Sequence, residues 1–293
     1  MLIQERVKLK QLQLQDNLHL AKKGSSNKEN PIGIFDSGVG GLTVAKAITD
    51  LLPNENIIYF GDTAHMPYGE KSAHAIQSYA EKITEFLLSK SCKLIVIACN
   101  SASVSAFKQV KERLPNGVVV INVIDPVIEH VSNVLKFKKI GLIGTKRTVS
   151  SAVYKKKFEK ANKKLLVKSL ATPLLAPMIE EGFFNNKISK TVVHSYLSNP
   201  HLLGIEAIIL ACTHYPLIIG EIQSYYKKQI NIINSAEIVS QSVQNFLAEN
   251  DLLNNQDKKA KHQFFVSDYT KSFEETARIF YGKKLELKEN NLF

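Results

Sequence analysis

The sequence predicts an α/β fold: two pseudo-symmetric open sheets, mostly parallel, with flanking helices and the active site in the cleft between them. Three observations carry this expectation. From residue 31 onward short apolar runs alternate with amphipathic stretches, the pattern of successive βαβ units. Most of the apolar runs are continuous, which suits strands covered on both faces. Finally, the chain repeats itself. Ile32-Gly33-Ile34-Phe35-Asp36-Ser37 resembles Ile140-Gly141-Leu142-Ile143-Gly144-Thr145, and Leu94-Ile95-Val96-Ile97-Ala98-Cys99 resembles Ala207-Ile208-Ile209-Leu210-Ala211-Cys212. In each half a hydroxyl residue precedes the cysteine by a similar span.

In chain order, residues 1–30 read as a polar extension ending in the linker-like Gly24-Ser25-Ser26-Asn27-Lys28-Glu29-Asn30-Pro31. Strands are expected over 32–35, 56–60, 93–98, 118–123, 139–143, 165–169, 207–210 and 230–233. Helices are expected between them, over 42–52, 72–89, 103–114, 151–163, 187–197, 216–228 and 236–248. Open α/β sheets bind ligands beyond the carboxyl ends of their strands, so both Ala-Cys segments belong at such ends, flanking one cleft if the halves face each other.

Composition narrows the function classes. The 293 residues suffice for a core without disulfide or metal staples. Three cysteines, Cys92, Cys99 and Cys212, are too few and too far apart for a disulfide scaffold or a structural zinc site, so no metal site is expected. The longest apolar runs fall far short of the roughly 20 residues of a membrane span. The N-terminus lacks the apolar core and cleavage site of a secretory signal, which implies the cytoplasm. The net charge of +11 invites a nucleic-acid reading. However, the lysine clusters 155–157, 163–164, 227–228 and 258–261 lack aromatic interleaving and fit a solvated surface, so nucleic acid is not expected as the main partner.

Two thiols across a cleft suit proton transfer on opposite faces of one carbon, and an ordinary thiol near pKa 8.5 needs only modest help to ionise. The competing reading of Cys99 and Cys212 is buried packing, which the polar residues that follow each, Asn100-Ser101 and Thr213-His214, weaken. Asp36-Ser37-Gly38-Val39-Gly40-Gly41 is neither a phosphate-binding loop ending in Gly-Lys-Ser/Thr nor a dinucleotide fingerprint, because Thr43 occupies the third glycine position. Asp36 is either an acid/base partner or a turn residue. Pro67-Tyr68-Gly69 forms a second loop after a strand. His214, two residues from Cys212, can tune that thiol. Glu180 and Glu181 are not singled out by composition.

Phe35-Asp36-Ser37-Gly38-Val39-Gly40-Gly41-Leu42, Gly61-Asp62-Thr63, Pro67-Tyr68-Gly69, Ala98-Cys99-Asn100 and Cys212-Thr213-His214-Tyr215-Pro216 together resemble the signature blocks of bacterial glutamate racemases, over about residues 31 to 285, with Phe264-Phe265-Val266-Ser267 as a weaker block. The resemblance implies a cofactor-independent two-base racemase that makes D-glutamate for peptidoglycan. In it Cys99 takes the proton from D-glutamate and Cys212 from L-glutamate, assisted by Asp36 and by His214. Glu180 matches the acidic residue after the Ala176–Ile179 stretch. Ser37, Pro67, Tyr68, Gly69, Asn100, Ser101, Thr145, Thr148 and Thr213 would hold the substrate. The resemblance also implies a first domain of residues 31–123 plus 232–293 and a second of 124–231. A homodimer and a peptidoglycan-precursor regulator are the partners it suggests besides glutamate. Ser101 departs from a usual threonine, Asn234 from a frequent aspartate and His65 from a common arginine. Two rival readings remain at this point: an aspartate racemase, and a basic nucleic-acid-associated protein without catalysis.

Overall fold

The structure, a computed structural model, describes residues 27–133, 136–256, 259–282 and 285–293; the expected extension lies outside the described residues up to residue 26. The first half runs β1 (Ile32–Asp36), α1 (Leu42–Leu51), β2 (Ile57–Gly61), α2 (Ala73–Ser89), β3 (Leu94–Ile97), α3 (Asn100–Arg113), β4 (Val119–Asn122) and α4 (Asp125–Asn133). The second runs β5 (Lys139–Gly144), α5 (Lys146–Ser150), α6 (Val153–Ala161), β6 (Leu166–Ala171), α7 (Leu175–Glu180), α8 (Lys187–Leu197), β7 (Ala207–Ala211), α9 (Ile219–Tyr225), β8 (Asn231–Asn234) and α10 (Ser235–Glu249). The chain closes with β9 (His262–Val266), α11 (Lys271–Tyr281) and β10 (Leu287–Glu289).

The strands form two sheets, β10-β9-β2-β1-β3-β4 and β6-β5-β7-β8, in which every pairing is parallel. The repeat read in the sequence is present in the topology: β2-β1-β3-β4 and β6-β5-β7-β8 have the same order. Every residue of β1, β2, β3 and β7 is buried, as continuous apolar runs require when helices cover both faces. Among the described residues no helix is long and apolar enough to cross a membrane.

Several elements differ from expectation for local reasons. α3 begins at Asn100 because the Cys99 thiol acts as its cap, accepting the Ala102 N–H at 3.4 Å. The helix expected over 151–163 begins only at Val153, because Ala152, with a left-handed φ of 55°, separates it from the short α5 before it. β9, α11 and β10 were not anticipated from periodicity: β9 opens on His262-Gln263 and β10 spans three residues, too little for a pattern of period two to stand out.

The six-stranded sheet is tied together at its amino end by a buried ion pair. Lys93 Nζ lies 2.6 Å from Glu55 Oε2 and donates to the carbonyls of Lys28 and Leu252, while Glu55 Oε1 accepts the Asn254 N–H. Four separate chain segments thus meet on one charge pair. Lys93→Met leaves the Glu55 carboxylate buried without its counter-ion and is expected to lower the unfolding free energy by about 3–5 kcal/mol. The double change Lys93→Met, Glu55→Gln should recover part of that loss in denaturant melts. Equal stability of the single and double variants would contradict the role given to the pair.

Candidate active site

The carboxyl ends of β1 and β3 in one sheet, and of β5 and β7 in the other, converge on a small cavity of about 30 Å³. These are the central strands, where the strand order reverses and an open sheet leaves a crevice. Cys99 follows β3 and Cys212 follows β7, and both line the cavity. They are almost fully buried, at 6% and 7% exposure, yet close enough that a charge on Cys212 is felt at Cys99.

On the first side, the Cys99 thiol sits over the start of α3 and 3.7 Å from the Ser37 hydroxyl. Burial, reinforced by the Asp36 carboxylate, pushes this thiol far above its ordinary value, against the opposing pull of the Ala102 N–H and Ser37. Asp36 itself is wholly buried. Its Oδ2 accepts the N–H groups of Gly38 and Gly41 at 3.2 and 3.0 Å, and its Oδ1 lies 3.4 Å from the Thr213 hydroxyl that donates to it. Burial raises its carboxyl as well, with His214 and the two backbone donors working against the rise. Asp36 therefore acts on Cys99 through its field, since its hydrogen bonds go elsewhere.

On the second side, Cys212 Sγ lies 3.5 Å from His214 Nδ1, and His214 Nε2 lies 2.7 Å from Glu180 Oε1. Burial by itself would push the imidazole down, but the Cys212 sulfur and the Glu180 carboxylate outweigh it and hold His214 well above its usual value. With Nε2–H donated to Glu180, Nδ1 is left to exchange a proton with the Cys212 thiol. Gly40 permits this placement: a Cβ there would stand 2.4 Å from His214 Cε1.

Hydroxyls join the halves across the cavity. Ser101 and Thr145 are 2.9 Å apart, and Thr145 donates to Thr148 at 3.1 Å. The Pro67-Tyr68-Gly69 loop is held from behind by buried Asp62, which accepts the Tyr68 and Ser267 hydroxyls at 2.6 and 2.7 Å and contacts His65 Nδ1 at 2.8 Å. Among the described residues no lysine or arginine lines the cavity.

Of the residues singled out from the sequence, Ser37, Pro67, Tyr68, Gly69, Cys99, Asn100, Ser101, Thr145, Glu180, Cys212, Thr213 and His214 line the cavity together. Asp36 and Thr148 lie behind it, holding residues that do. Glu180, rather than its neighbour Glu181, contacts His214. Four supporting residues had no sequence signal of their own as site residues: Tyr154, whose buried hydroxyl donates to Asn100 Oδ1 at 2.8 Å; Thr43, which donates to the Thr213 carbonyl; Ser267; and Phe280, packed on His214. A larger groove of about 610 Å³ between α4, β8 and α10 contains neither thiol. Among the described residues no cluster of three or more His, Cys, Asp or Glu side chains has metal-binding geometry.

The Asp/Glu/Hydantoin racemase family profile matches residues 41–243. The glutamate racemase of Chlorobaculum tepidum is 41% identical over 88% of this chain and 95% of its own, and that of Geobacter metallireducens is 38% identical over 87% and 93%. The crystal structure of glutamate racemase from Francisella tularensis in complex with D-glutamate superposes with a TM-score of 0.84 at 37% identity, covering 90% of this chain and 98% of that one.

His214 titrates higher in the fold than in the unfolded chain. The stability it contributes is therefore complete below about pH 6.5 and fades as pH climbs through the raised value. Glu180→Gln removes one of the two anions responsible, so the His214 titration followed by 15N NMR should move down toward the ordinary imidazole value. An unmoved titration would contradict the assignment of Glu180 as a cause.

Proposed function

Because the chain belongs to the Asp/Glu/Hydantoin racemase family, and within it to the glutamate racemases, we propose that it interconverts L- and D-glutamate by a two-base mechanism in which Cys99 and Cys212 work on opposite faces of the substrate Cα. The observation that carries this reading is the placement of two buried thiols in one cavity, each beside its own ionisable assistant. In the L-to-D direction the Cys212 thiolate, formed as its proton passes to His214, takes the Cα proton. The electron pair left on Cα delocalises into the α-carboxylate, and the Cys99 thiol delivers its proton to the other face. The product is D-glutamate, with Cys212 protonated and Cys99 left as thiolate, the form that takes the reverse direction.

The raised Cys99 thiol suits a resting proton donor, and the Cys212–His214 pair suits a resting base. Hydroxyls of Ser37, Ser101, Thr145 and Thr213, with the backbone N–H groups at the start of α3, supply neutral donors for the carboxylates. Such donors stabilise the charge that develops on the carboxylate. On this reading two units clasp the substrate, and the enzyme supplies D-glutamate for peptidoglycan in the cytoplasm.

The purified protein is expected to racemise glutamate without added pyridoxal phosphate, and to do so faster than aspartate. Replacing both thiols, Cys99→Ser with Cys212→Ser, should abolish the activity while circular dichroism stays unchanged. Full activity in that double variant would refute the two-thiol assignment, and a preference for aspartate would refute the substrate.

A further inference from the structure

We propose that Phe280, on the C-terminal helix α11, is a positioning residue that fixes the ring plane of His214. The inference rests on the two-thiol reading above. Phe280 is buried, and its ring meets the His214 imidazole edge-to-face, with centroids 5.2 Å apart and planes at 82°. The backbone of Gly40 approaches the same imidazole closely, near enough that a Cβ would overlap Cε1 and Nδ1. Held by both, the ring has little freedom to turn about its Cβ–Cγ bond. That restriction keeps Nδ1 toward Cys212 and Nε2 toward Glu180 at the same time.

α11 is itself anchored. Tyr281, next in the chain, donates its hydroxyl to Thr49 of α1, and the helix is closed by Gly282 in a left-handed conformation. α1 begins right after Gly40, so the two supports of the imidazole share one packed base. Phe280 also borders an open groove of about 530 Å³, which leaves room for a larger ring. The residue lies beyond the 41–243 span that the family profile matches.

The test compares Phe280→Leu, which loses the ring, with Phe280→Tyr, which keeps it. A misplaced imidazole slows the proton transfer at Cys212 selectively. In Phe280→Leu kcat should fall about ten- to a hundredfold. The primary isotope effect should rise with [2-2H]-L-glutamate and shrink with [2-2H]-D-glutamate, because abstraction by Cys212 becomes the slower step in one direction only. Phe280→Tyr should restore the parent pattern. Isotope effects equal to the parent's in Phe280→Leu would overturn the proposal even if kcat falls, since loss of packing alone slows both directions without that asymmetry. Phe280→Met carries the same comparison if the leucine variant is too unstable to assay. A parent protein that fails to racemise overturns the two-thiol reading instead. NMR relaxation of the His214 ring then decides the packing claim: faster ring motion in Phe280→Leu supports it and unchanged motion refutes it.

Discussion

The site depends on one close approach of backbone to side chain. The turn after β1 passes so near the segment after β7 that only glycine fits at position 40 against His214, and only glycine at position 41 against Asp36, where a Cβ would come within 2.4 Å of the Asp36 Cβ. At the same seam the Thr213 hydroxyl donates to Asp36, and Thr43 donates to the Thr213 carbonyl. These contacts register the two sheets against each other. With that register set, the ends of β1, β3, β5 and β7 face one space, and both thiols follow. A larger side chain at Gly40 would push the turn off the segment after β7, and one at Gly41 would push it off Asp36 within the same half.

Charge placement follows from burial. Among the described residues no lysine or arginine lines the cavity, so the ionisable groups govern one another. Asp36 is buried without a lysine or arginine partner and spends its hydrogen bonds on two backbone N–H groups and a hydroxyl. Burial, with the field of Asp36 added, favours the protonated form of Cys99. Glu180 and Cys212 do the opposite for His214, holding a proton on an imidazole that burial would otherwise strip. The two sides of a pseudo-symmetric fold thus carry unlike electrostatics. A proton is held firmly at one thiol and lent to a relay at the other, an asymmetry suited to moving one proton in and another out.

Much of this was legible in the sequence. Continuous apolar strands ending in Asp-Ser, Gly-Thr and Ala-Cys specified both the parallel sheets and the strand ends that build the cavity, because burial on both faces and the crevice beyond the carboxyl ends are general to such sheets. The duplicated Ala-Cys segments foretold the matching strand orders. The supporting residues were less visible for physical reasons. Tyr154 and Phe280 look like ordinary core aromatics on amphipathic helices, and only the tertiary packing brings a hydroxyl to Asn100 or a ring to His214. β9 joins the first sheet by pairing with distant β2, and β10 adds outside β9, an arrangement that no local pattern announces. The excess of lysine, suggestive of nucleic acid at first sight, is absent from the cavity.

The central claim is that two thiols, not one, handle the Cα proton. The most direct measurement is single-turnover racemisation in D2O, begun separately from L- and from D-glutamate and resolved by chiral separation with mass analysis. A separate base on each face predicts that the product enantiomer carries deuterium at Cα from the first turnover while the unconverted starting enantiomer stays protiated, in both directions. Product that retains the substrate's own proton, or starting enantiomer that gains deuterium as fast as product forms, would mean that a single base serves both faces and would contradict the account.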